Sequence, residues 1–578
     1  MEKSKITKSL AVFASVLLII IIGVASFAYF GTFNVNLNNN VAVNINSSSP
    51  GNATFTSNAT QLNLQVPAAN MSFTAANNTV AAKEDTAFLD VTLTGSQNLL
   101  TTCTYDIVYE YDAGSNVYGQ GTTTKTSGAT KEITIEVNGM NGNNHFATER
   151  NFDHASIQSH YDSTNKYYKL VEGATIKSLG STQSVRWKIT GRYYNLDVSQ
   201  AQLGGKNFTG KIYAISKGCS SEDGTTVKKG YETILANNGG KTAIEAKTAP
   251  SFASIETSNA GMYSYTEGTG KTYYYRGAVD NNWVKYGKFK ENQIVYRGFR
   301  DENSTDEVWY DRKSTPKYID YPTLAECQNS SSYNYKCKEV TYARKGDDMY
   351  WRIIRVDKDN KIKMIYAGSK APSENAKVAI TGANTNMGFT AYNNDYDHAE
   401  YVGFQYTVGS QRGTTNSTIK TYLDNWYTKY FNENISTSRF VKTTFCNDRN
   451  TSSTWASTGS TIYYAPYIRL SVGTPVPTFE CNSLDVVTNN LGLITADEIV
   501  LAGGYYGAIN NIFYLNNNMA YWTGSPDTFQ SGYSYVIVLN LVDCSVKKRL
   551  YGARGVITLS SESKLLGSGT YNDVYTVS

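Results

Sequence analysis

The stretch Val185–Thr190, "VRWKIT", alternates apolar with charged or polar side chains. Val185, Trp187 and Ile189 share one face if the chain is extended, because successive side chains of a strand point to opposite faces. The same period recurs in short runs separated by Gly, Asn and Ser clusters: Leu89, Val91 and Leu93; Tyr105, Ile107 and Tyr109; Ile133, Ile135 and Val137. Many short strands with turn residues between them predict an antiparallel β-sandwich over residues 31–217.

Composition favours a multidomain, β-rich protein. The chain has 578 residues, too many for one core, and 46 of them are tyrosines, which favour strands. The formal net charge is +4 without a dense Lys/Arg run, so we expect no nucleic-acid partner. Four histidines leave little material for histidine-based metal sites or acid–base catalysis.

The N-terminus predicts export. Three lysines within the first eight residues precede an uncharged apolar run, Leu10–Phe30, which is long enough to span a bilayer as a helix. One interpretation is a cytoplasmic tail over residues 1–8 and a transmembrane anchor over 9–30. The alternative is a cleaved signal peptide, since Ser26 and Ala28 give a small-x-small pattern. The bulk of the chain is extracellular under either interpretation, attached to a bacterial membrane by a single span or secreted.

The segment after the apolar run carries no charge up to residue 82. Apolar residues alternate over 33–37 and again over 41–45, with Asn38–Asn40 between them. This period predicts two paired strands around a turn, whose edges would allow self-association by strand addition. A disordered Asn-rich spacer is the alternative, because Asn is a poor strand residue.

The end of the predicted sandwich resembles a known family. Residues 185–214, "VRWKITGRYYNLDVSQAQLGGKNFTGKIYA", are similar to the end of the sandwich domain in camelysin-like biofilm fibre proteins of Gram-positive bacteria. Those proteins also begin with an apolar export segment ending in an aromatic pair, here Tyr29 and Phe30. The protease activity attached to some camelysins is not implied, because the chain has no His-Glu-x-x-His motif.

The second half begins after a predicted linker over residues 218–264, rich in Gly, Ser, Lys and Thr. Residues 349–368, "MYWRIIRVDKDNKIKMIYAG", predict a hairpin turning at Asp357–Asn360. That turn imitates the start of a calcium loop. However, Ile362 and Gly368 occupy the positions where such a loop needs Gly and Glu, so no calcium site is predicted.

Two helices are predicted in the second half. Ser417 can cap one, whose apolar side chains recur at helical spacing from Ile419 to Tyr430 and are expected in the core. Thr495 and Glu498 form a capping box at the start of the other. Asp497 and Glu498 suit the positive end of that helix, so they are not interpreted as a catalytic carboxylate pair.

These elements carry a second resemblance. The strings "YWRIIRV", "IKTYLDNWY", "GLITADEIVLAGG", "YWTGSP" and "GARGVITL" occur in this order. They resemble exported proteins of gut Firmicutes whose C-terminal domain has the C-type-lectin-like fold of the formylglycine-generating enzyme group. The resemblance implies such an α+β domain over residues 265–578, with an insertion at 290–347. Where the family usually has Gly-Val-Arg-Pro, Arg554 is present but Gly555 replaces the proline.

The resemblance does not carry the chemistry of its relatives. The copper-binding cysteine pair of formylglycine generation is missing, because Cys544 stands alone in the C-terminal segment. The Glu-Pro-Asn and Gln-Pro-Asp triplets of calcium lectins do not occur. We therefore expect no metal, no cofactor and no enzymatic activity, since a fold alone does not confer function.

Seven cysteines fit an exported chain. Cys327 and Cys337 bracket a polar loop of the insertion, and Cys446 and Cys481 flank the segment between the predicted helices. Both pairs are predicted disulfides, with free buried thiols as the alternative. Cys103 shares a face with core residues and is expected in the core, Cys219 is placed in the linker region, and Cys544 is unassigned.

Residues 519–540, "MAYWTGSPDTFQSGYSYVIVLN", bear on function. Ser525 lacks the Gly-x-Ser-x-Gly pattern of a nucleophile elbow, so the Gly-Ser-Pro sequence predicts a turn with Trp522 packed beneath it. The aromatic and polar residues that follow form a candidate ligand-facing loop, since such side chains suit sugar stacking and protein recognition. The candidate contact residues are Asp527, Gln530, Tyr533 and Tyr535.

The sequence thus predicts a non-catalytic surface protein. An anchor, a sandwich stalk and a lectin-like head together suggest binding or adhesion to a surface glycan or protein. Two alternatives remain: a structural subunit of a surface or biofilm fibre, and an envelope enzyme.

Overall fold

Two separate hydrophobic cores divide the computed structural model into an N-terminal sandwich and a larger C-terminal unit of several sheets and short helices. The structure describes residues 40–43, 53–65, 83–95, 99–111, 133–139, 150–152, 157, 159–180, 182–194, 207–224, 227–304, 317–433, 438–539, 542–547 and 550–578. The chain is β-rich with few helices, as its sequence predicts.

Antiparallel strands in two sheets form the sandwich. Their bounds are β1 Asn40–Val43, β2 Thr54–Asn58, β3 Thr60–Gln65, β4 Lys83–Thr94, β5 Leu99–Tyr111, β6 Ile133–Gly139, β7 Arg150–Phe152, β8 Tyr161–Asp162, β9 Tyr167–Leu179, β10 Thr182–Tyr193 and β11 Asn207–Asp223. The first sheet has the order β1-β2-β4-β10-β6-β7 and the second β3-β11-β5-β9-β8.

The sandwich core consists of the alternating apolar residues of both sheets. The same-face residues predicted in β4, β5, β6 and β10 are all buried in it. Trp187 of β10 lies between the sheets, and its Nε1 donates to the Tyr105 hydroxyl of β5 at 3.1 Å. This bond satisfies the indole of a fully buried tryptophan and joins the two layers.

The N-terminal predictions are tested in part. β1 pairs with β2, with Val43 opposite Phe55, so residues 41–43 are in a strand as expected. Their predicted partner at 33–37 lies outside the described residues, as does the predicted anchor over 9–30. None of the helices in the described residues is long and apolar enough to cross a membrane.

A disulfide that was not predicted, Cys103–Cys219, corrects the assignment of Cys219 to the linker and the predicted end of the sandwich. Cys103 is buried in the core, as expected, but it is bonded to Cys219. Cys219 lies in β11 directly opposite Cys103, not in a linker, because β11 stays paired with β5 as far as Asp223. The last sandwich strand therefore runs past the boundary predicted at residue 217.

Two short helices lie in the remaining segment predicted as a linker. They are α1 Gly230–Asn237 and α2 Lys241–Glu245. Ile234 and Ile244 are fully buried in the core of the C-terminal unit. The Gly, Lys and Thr content of this segment concealed one apolar side chain per turn, which is enough to fix a short helix on a larger core.

Strands of the C-terminal unit form several sheets. The strands are β12 Asn259–Glu267, β13 Gly270–Gly277, β14 Trp283–Phe289, β15 Gln293–Phe299, β16 Tyr318–Tyr321, β17 Lys336–Ala343, β18 Asp348–Val356, β19 Ile362–Gly368, β20 Gly388–Thr390, β21 Gln405–Thr407, β22 Ser410–Asn416, β23 Phe431–Asn432, β24 Thr443–Cys446, β25 Ile462–Tyr463, β26 Val486–Asn489, β27 Trp522–Gln530, β28 Tyr533–Val538, β29 Val542–Ser545, β30 Tyr551–Ala553, β31 Val556–Leu559, β32 Leu565–Leu566 and β33 Tyr575–Val577. The largest sheet has nine strands: six follow the order β12-β13-β18-β14-β33-β32, β19 pairs with both β18 and β31, and β23 pairs with β14.

Both predicted helices are confirmed among the helices of the C-terminal unit, which are α3 Leu324–Gln328, α4 Thr418–Tyr430, α5 Ala465–Ser471 and α6 Ala496–Leu501. The Ser417 side chain caps α4. The apolar stripe of this helix is buried at Ile419, Leu423 and Trp426. The capping box of Thr495 and Glu498 begins α6. α3 and α5 were not predicted.

The insertion predicted at 290–347 contains the three-stranded sheet β16-β15-β17. The predicted Cys327–Cys337 disulfide is present and ties α3 to β17. Arg297 makes a bidentate pair with Asp320, both bonds at 2.7 Å, inside this small sheet. The predicted Cys446–Cys481 disulfide is also present.

The Gly-Ser-Pro sequence does not form the predicted turn. Gly524, Ser525 and Pro526 all lie within β27, whose pairing with β28 is irregular on both sides of Pro526. The turn comes later, at Ser531 and Gly532, where both residues have positive φ. This two-residue turn suits the right-handed twist of a hairpin. Trp522 is fully buried, as expected.

Buried arginines hold the irregular backbone of the C-terminal unit. Arg352 donates to the carbonyls of Val279 and Val378 at 2.8 and 2.6 Å. Arg276 binds the carbonyls at the end of α6, and Arg554 binds the carbonyls of Tyr366 and Leu515. Guanidinium groups thus donate to carbonyls of loops and of a helix end, and in the case of Tyr366 to a carbonyl of β19.

Removing the Cys103–Cys219 disulfide should destabilise the chain more than removing Cys327–Cys337. The first closes a loop with a sequence separation of 116 and the second one of 10. The chain-entropy model gives losses of about 5 and about 3 kcal/mol. Urea unfolding of the two double Cys→Ser variants measures both free energies. Equal losses would contradict the expected dependence on loop length.

Candidate functional site

A charged cleft of about 240 Å³ opens on the C-terminal unit. Its walls are the turn 357–361 between β18 and β19, the first turn of α6, and the β24–β26 ladder with the Cys446–Cys481 disulfide. The disulfide joins β24 to the segment before β26, so these two parts of the wall are held together covalently. Lys363 of β19 and Thr558 of β31 face each other across paired strands and line the cleft.

Ionisable side chains dominate the cleft. The cationic ones are Arg355, Lys358, Lys361, Lys363 and Arg469, and the anionic ones are Glu267, Asp357, Asp359, Asp448, Glu480, Asp497 and Glu498. Five cations and seven anions give the lining a formal charge of −2. Such a density of charge at a concave surface focuses the electrostatic field on a bound ligand.

Glu498 is the centre of one ion-pair network. Its Oε1 accepts from Lys363 Nζ at 2.8 Å and from Arg355 Nε at 3.0 Å. Its Oε2 accepts the Thr495 amide, which completes the capping box. Burial disfavours ionisation of this carboxylate, but the two cations and the hydrogen bonds outweigh burial and lower its pKa to about 2.

Arg469 of α5 is the centre of a second network. Its Nε and Nη2 form a bidentate pair with Asp497 at 2.6 and 2.7 Å, and its Nη1 donates to Asp448 at 2.6 Å. Burial raises the pKa of Asp497 above its usual value, although Arg469 opposes the shift. Asp497, which was predicted to suit the start of its helix, therefore also joins α6 to α5.

Ser525 lies in the cleft lining without the environment of a nucleophile. Its Oγ accepts the Ala496 amide at 2.9 Å, so it holds the start of α6 against β27. Histidine is not among the residues that line the cleft. The hydroxyl thus has a structural partner and lacks a general base.

The predicted ligand-facing residues lie outside the cleft. Asp527 is 2% exposed, so it cannot face a ligand at the surface; its Oδ1 accepts from the Tyr506 hydroxyl at 2.9 Å. Gln530, Tyr533 and Tyr535 are half-buried around the end of the hairpin.

Tyr533 and Tyr535 do lie together, with ring centroids 6.4 Å apart. Tyr533 also stacks on Tyr396 with centroids 4.6 Å apart. We call Tyr396, Tyr533 and Tyr535 the tyrosine patch. Two of its three residues belong to the predicted loop, so the patch is an alternative contact surface. The buried Asp527 of β27 belongs to the interior.

Several parts of the cleft were predicted from the sequence, but their meeting in one cleft was not. The hairpin turn, the capping box and the Cys446–Cys481 pair were each predicted, for separate structural reasons. Arg469 and Thr558 were missed, because neither carries a local pattern. These parts are separated by up to about two hundred positions in the chain, so their meeting depends on the tertiary fold.

The described residues contain no group of three or more His, Cys, Asp or Glu placed to hold a metal ion. Known proteins add no constraint, because neither a family model nor a curated protein matches the chain. The chemistry of the cleft must therefore be argued from its own side chains.

Glu498→Gln should lower the free energy of unfolding by about 3–5 kcal/mol at neutral pH, because it leaves Lys363 buried without its carboxylate. The pKa of Glu498 is depressed in the folded chain, so its contribution is present above the unfolded value near 4.5 and is lost as pH falls towards 2. The difference between wild type and variant should therefore shrink by about 3 kcal/mol over that range.

Urea unfolding at several pH values measures this difference. The exposed Glu339→Gln variant is the control and should stay close to wild type throughout. A Glu498→Gln difference that does not change with pH would contradict the assigned network.

Proposed function

We propose that the chain is an extracellular, non-catalytic binding protein that takes a small polar ligand in the charged cleft. The observation that carries this proposal is the cleft itself: a concave, disulfide-braced surface with charged groups that converge from distant parts of the chain. Concave sites with a few fixed polar groups are where proteins bind small molecules. Three disulfides indicate an oxidising, extracellular environment.

Binding is favoured over catalysis by the state of the cleft's groups. Glu498, Asp497 and Asp448 each neutralise a cation in a fixed ion pair. Ser525 Oγ accepts a backbone amide, and no histidine is among the described residues that line the cleft. Because the three paired carboxylates are held by their cations, they are not free to transfer protons, whereas charged groups fixed in this way can recognise polarity and shape.

The architecture proposed for the C-terminal unit is a C-type-lectin-like head like that of the exported Firmicutes proteins it resembles. The ordered motifs, α4, α6 and the mixed sheets support this proposal. In it the sandwich is a stalk, which is either attached to the bacterial membrane by the N-terminal run or secreted after that run is cleaved. Arg186 of the sandwich donates to Asp347 of the C-terminal unit at 2.7 Å, which supports a stalk that carries its head directly.

A fibre subunit is the second candidate. It is favoured by the position of β1, which ends the order of its sheet within the described part of the chain, where it would offer an edge to a strand from another molecule. Electron microscopy of purified protein separates the two, because a fibre subunit should form filaments and a binding protein should remain dispersed.

Surface display predicts that protease added to intact, wall-stripped cells digests the sandwich and the C-terminal unit. The reason is that both units would lie outside the membrane, whichever fate the N-terminal run has. Immunoblotting of the cells before and after digestion measures the loss, with a cytoplasmic protein as control. Protection of both units would contradict extracellular placement.

Ligand binding should depend on the cleft and not on the tyrosine patch. A library of monosaccharides, amino acids and short peptides is tested for thermal stabilisation of the full chain. A ligand at a hundredfold its Kd adds about 2.7 kcal/mol of stability. Thr444→Trp should abolish this stabilisation, because Thr444 is exposed at the cleft wall and the indole would fill the opening.

Tyr533→Ala is the matched control and should leave binding intact. The opposite pattern, with binding lost in Tyr533→Ala and kept in Thr444→Trp, would move the site to the tyrosine patch. Absence of stabilisation by the whole library would contradict small-ligand binding.

A further inference from the structure

The five cations of the charged cleft are already paired within the protein. Arg355 and Lys363 share Glu498, and Arg469 lies between Asp497 and Asp448. Lys358 contacts Glu267 at 3.5 Å and Lys361 contacts Asp359 at 3.6 Å. An anionic ligand would have to displace a carboxylate from one of these pairs, which disfavours its binding.

Two carboxylates of the cleft have no such partner. Asp357 is half-buried and accepts the amides of Asp359 and Lys361, both at 2.9 Å, but has no cation at ion-pair distance among the described residues. Glu480 also lines the cleft, is exposed, and makes no ion pair with another described residue. Burial raises the pKa of Asp357, so a cation beside it would stabilise its charged form.

Thr558 gives an independent sign of a missing ligand group. Its side chain is 2% exposed and lines the cleft, and its Oγ1 has no hydrogen-bond partner in the described part of the chain. A buried hydroxyl without a partner costs about 1–3 kcal/mol. The Oγ1 atom is covered in the unliganded chain, so a polar ligand group would remove that cost once the Thr558 side chain turns towards the cleft that it lines.

The size of the cleft limits the ligand. A volume of about 240 Å³ corresponds to about eight waters at their share of liquid volume. This space suits a ligand the size of one sugar ring or one amino acid, and excludes a folded partner from the interior of the cleft.

We infer that the ligand of the charged cleft is a small polar molecule with a protonated amine, such as an amino sugar or an amino acid. The amine lies against Asp357 and Glu480, and a hydroxyl or carbonyl of the ligand binds Thr558 Oγ1. This inference rests on the proposed function, and it adds the charge and size class of the ligand.

Three probes that share one hexose ring test the charge: glucosamine, glucose and glucuronate. Isothermal titration calorimetry uses the full chain at about pH 6. This pH lies below the usual pKa of such an amine, so the amine of glucosamine is protonated. Glucosamine should bind at least about tenfold more tightly than glucose, since a hydrogen bond to a charged group contributes about 1.5–3 kcal/mol. Glucuronate should bind more weakly than both.

Variants then assign the contacts. Asp357→Asn keeps the turn's acceptor oxygen but removes its charge, and should weaken glucosamine about tenfold while sparing glucose. Glu480→Gln, at an exposed position that tolerates change, should do the same to a smaller extent. Thr558→Val should weaken both sugars several-fold, because it removes a hydroxyl used by either. Glu339→Gln, an exposed carboxylate outside the cleft, should change neither.

The outcomes separate this inference from the proposed function. Equal binding of glucosamine and glucose, or tightest binding of glucuronate, would overturn the amine while leaving a cleft that binds sugars and is blocked by Thr444→Trp. Glucosamine binding that survives both Asp357→Asn and Thr444→Trp would place the amine elsewhere and overturn the inference. If none of the three probes binds and a neutral or anionic compound of the library does, the inferred amine is overturned as well. If neither the probes nor any compound of the library binds, both the inference and the proposed function are overturned.

Discussion

Buried guanidinium groups are the constraint on which the C-terminal unit depends. Arg276, Arg352 and Arg554 are all at most 2% exposed, and each donates to backbone carbonyls from segments that lie outside the sheets or at their ends. A unit with so much irregular backbone leaves many carbonyls without a strand partner, and a buried carbonyl without a donor is costly. The arginines resolve this, and Arg352 also stacks on the Trp283 ring at 4.2 Å.

The charged cleft is built in the same manner but at the edge of the interior. Its pairs around Glu498 and Arg469 bring together β18, β19, α5 and α6, so the groups that shape the cleft also fix the elements around it. Ion pairs of this kind are weak sources of stability, because desolvation offsets their attraction. What they provide is position: each side chain in these pairs is held in one geometry, which is the preorganisation that the proposed binding would need.

Local chemistry made part of this fold predictable. The period of two in β4, β5, β6 and β10 and the caps at Ser417 and Thr495 are properties of adjacent residues, and the structure has them as expected. The failures are non-local. Ser525 looked like part of a turn because Gly and Pro flank it, yet pairing with β28 and the amide of Ala496 hold it in a strand. Cys219 looked like linker because the opposing Cys103 is remote in sequence. The cleft was out of reach for the same reason, since its unpaired carboxylates are recognisable only once every cation has been assigned a partner.

The Cys103–Cys219 bond has a mechanical consequence. Tension between the strands before β5 and the C-terminal unit passes through two sulfur atoms instead of the intervening backbone. The bypassed loop has a sequence separation of 116, which would otherwise release about 400 Å of contour length if it were pulled straight. A chain held at one end and loaded at the other therefore extends by that much less, because the segment between the two cysteines, with strands β6 to β10, is shielded from the force.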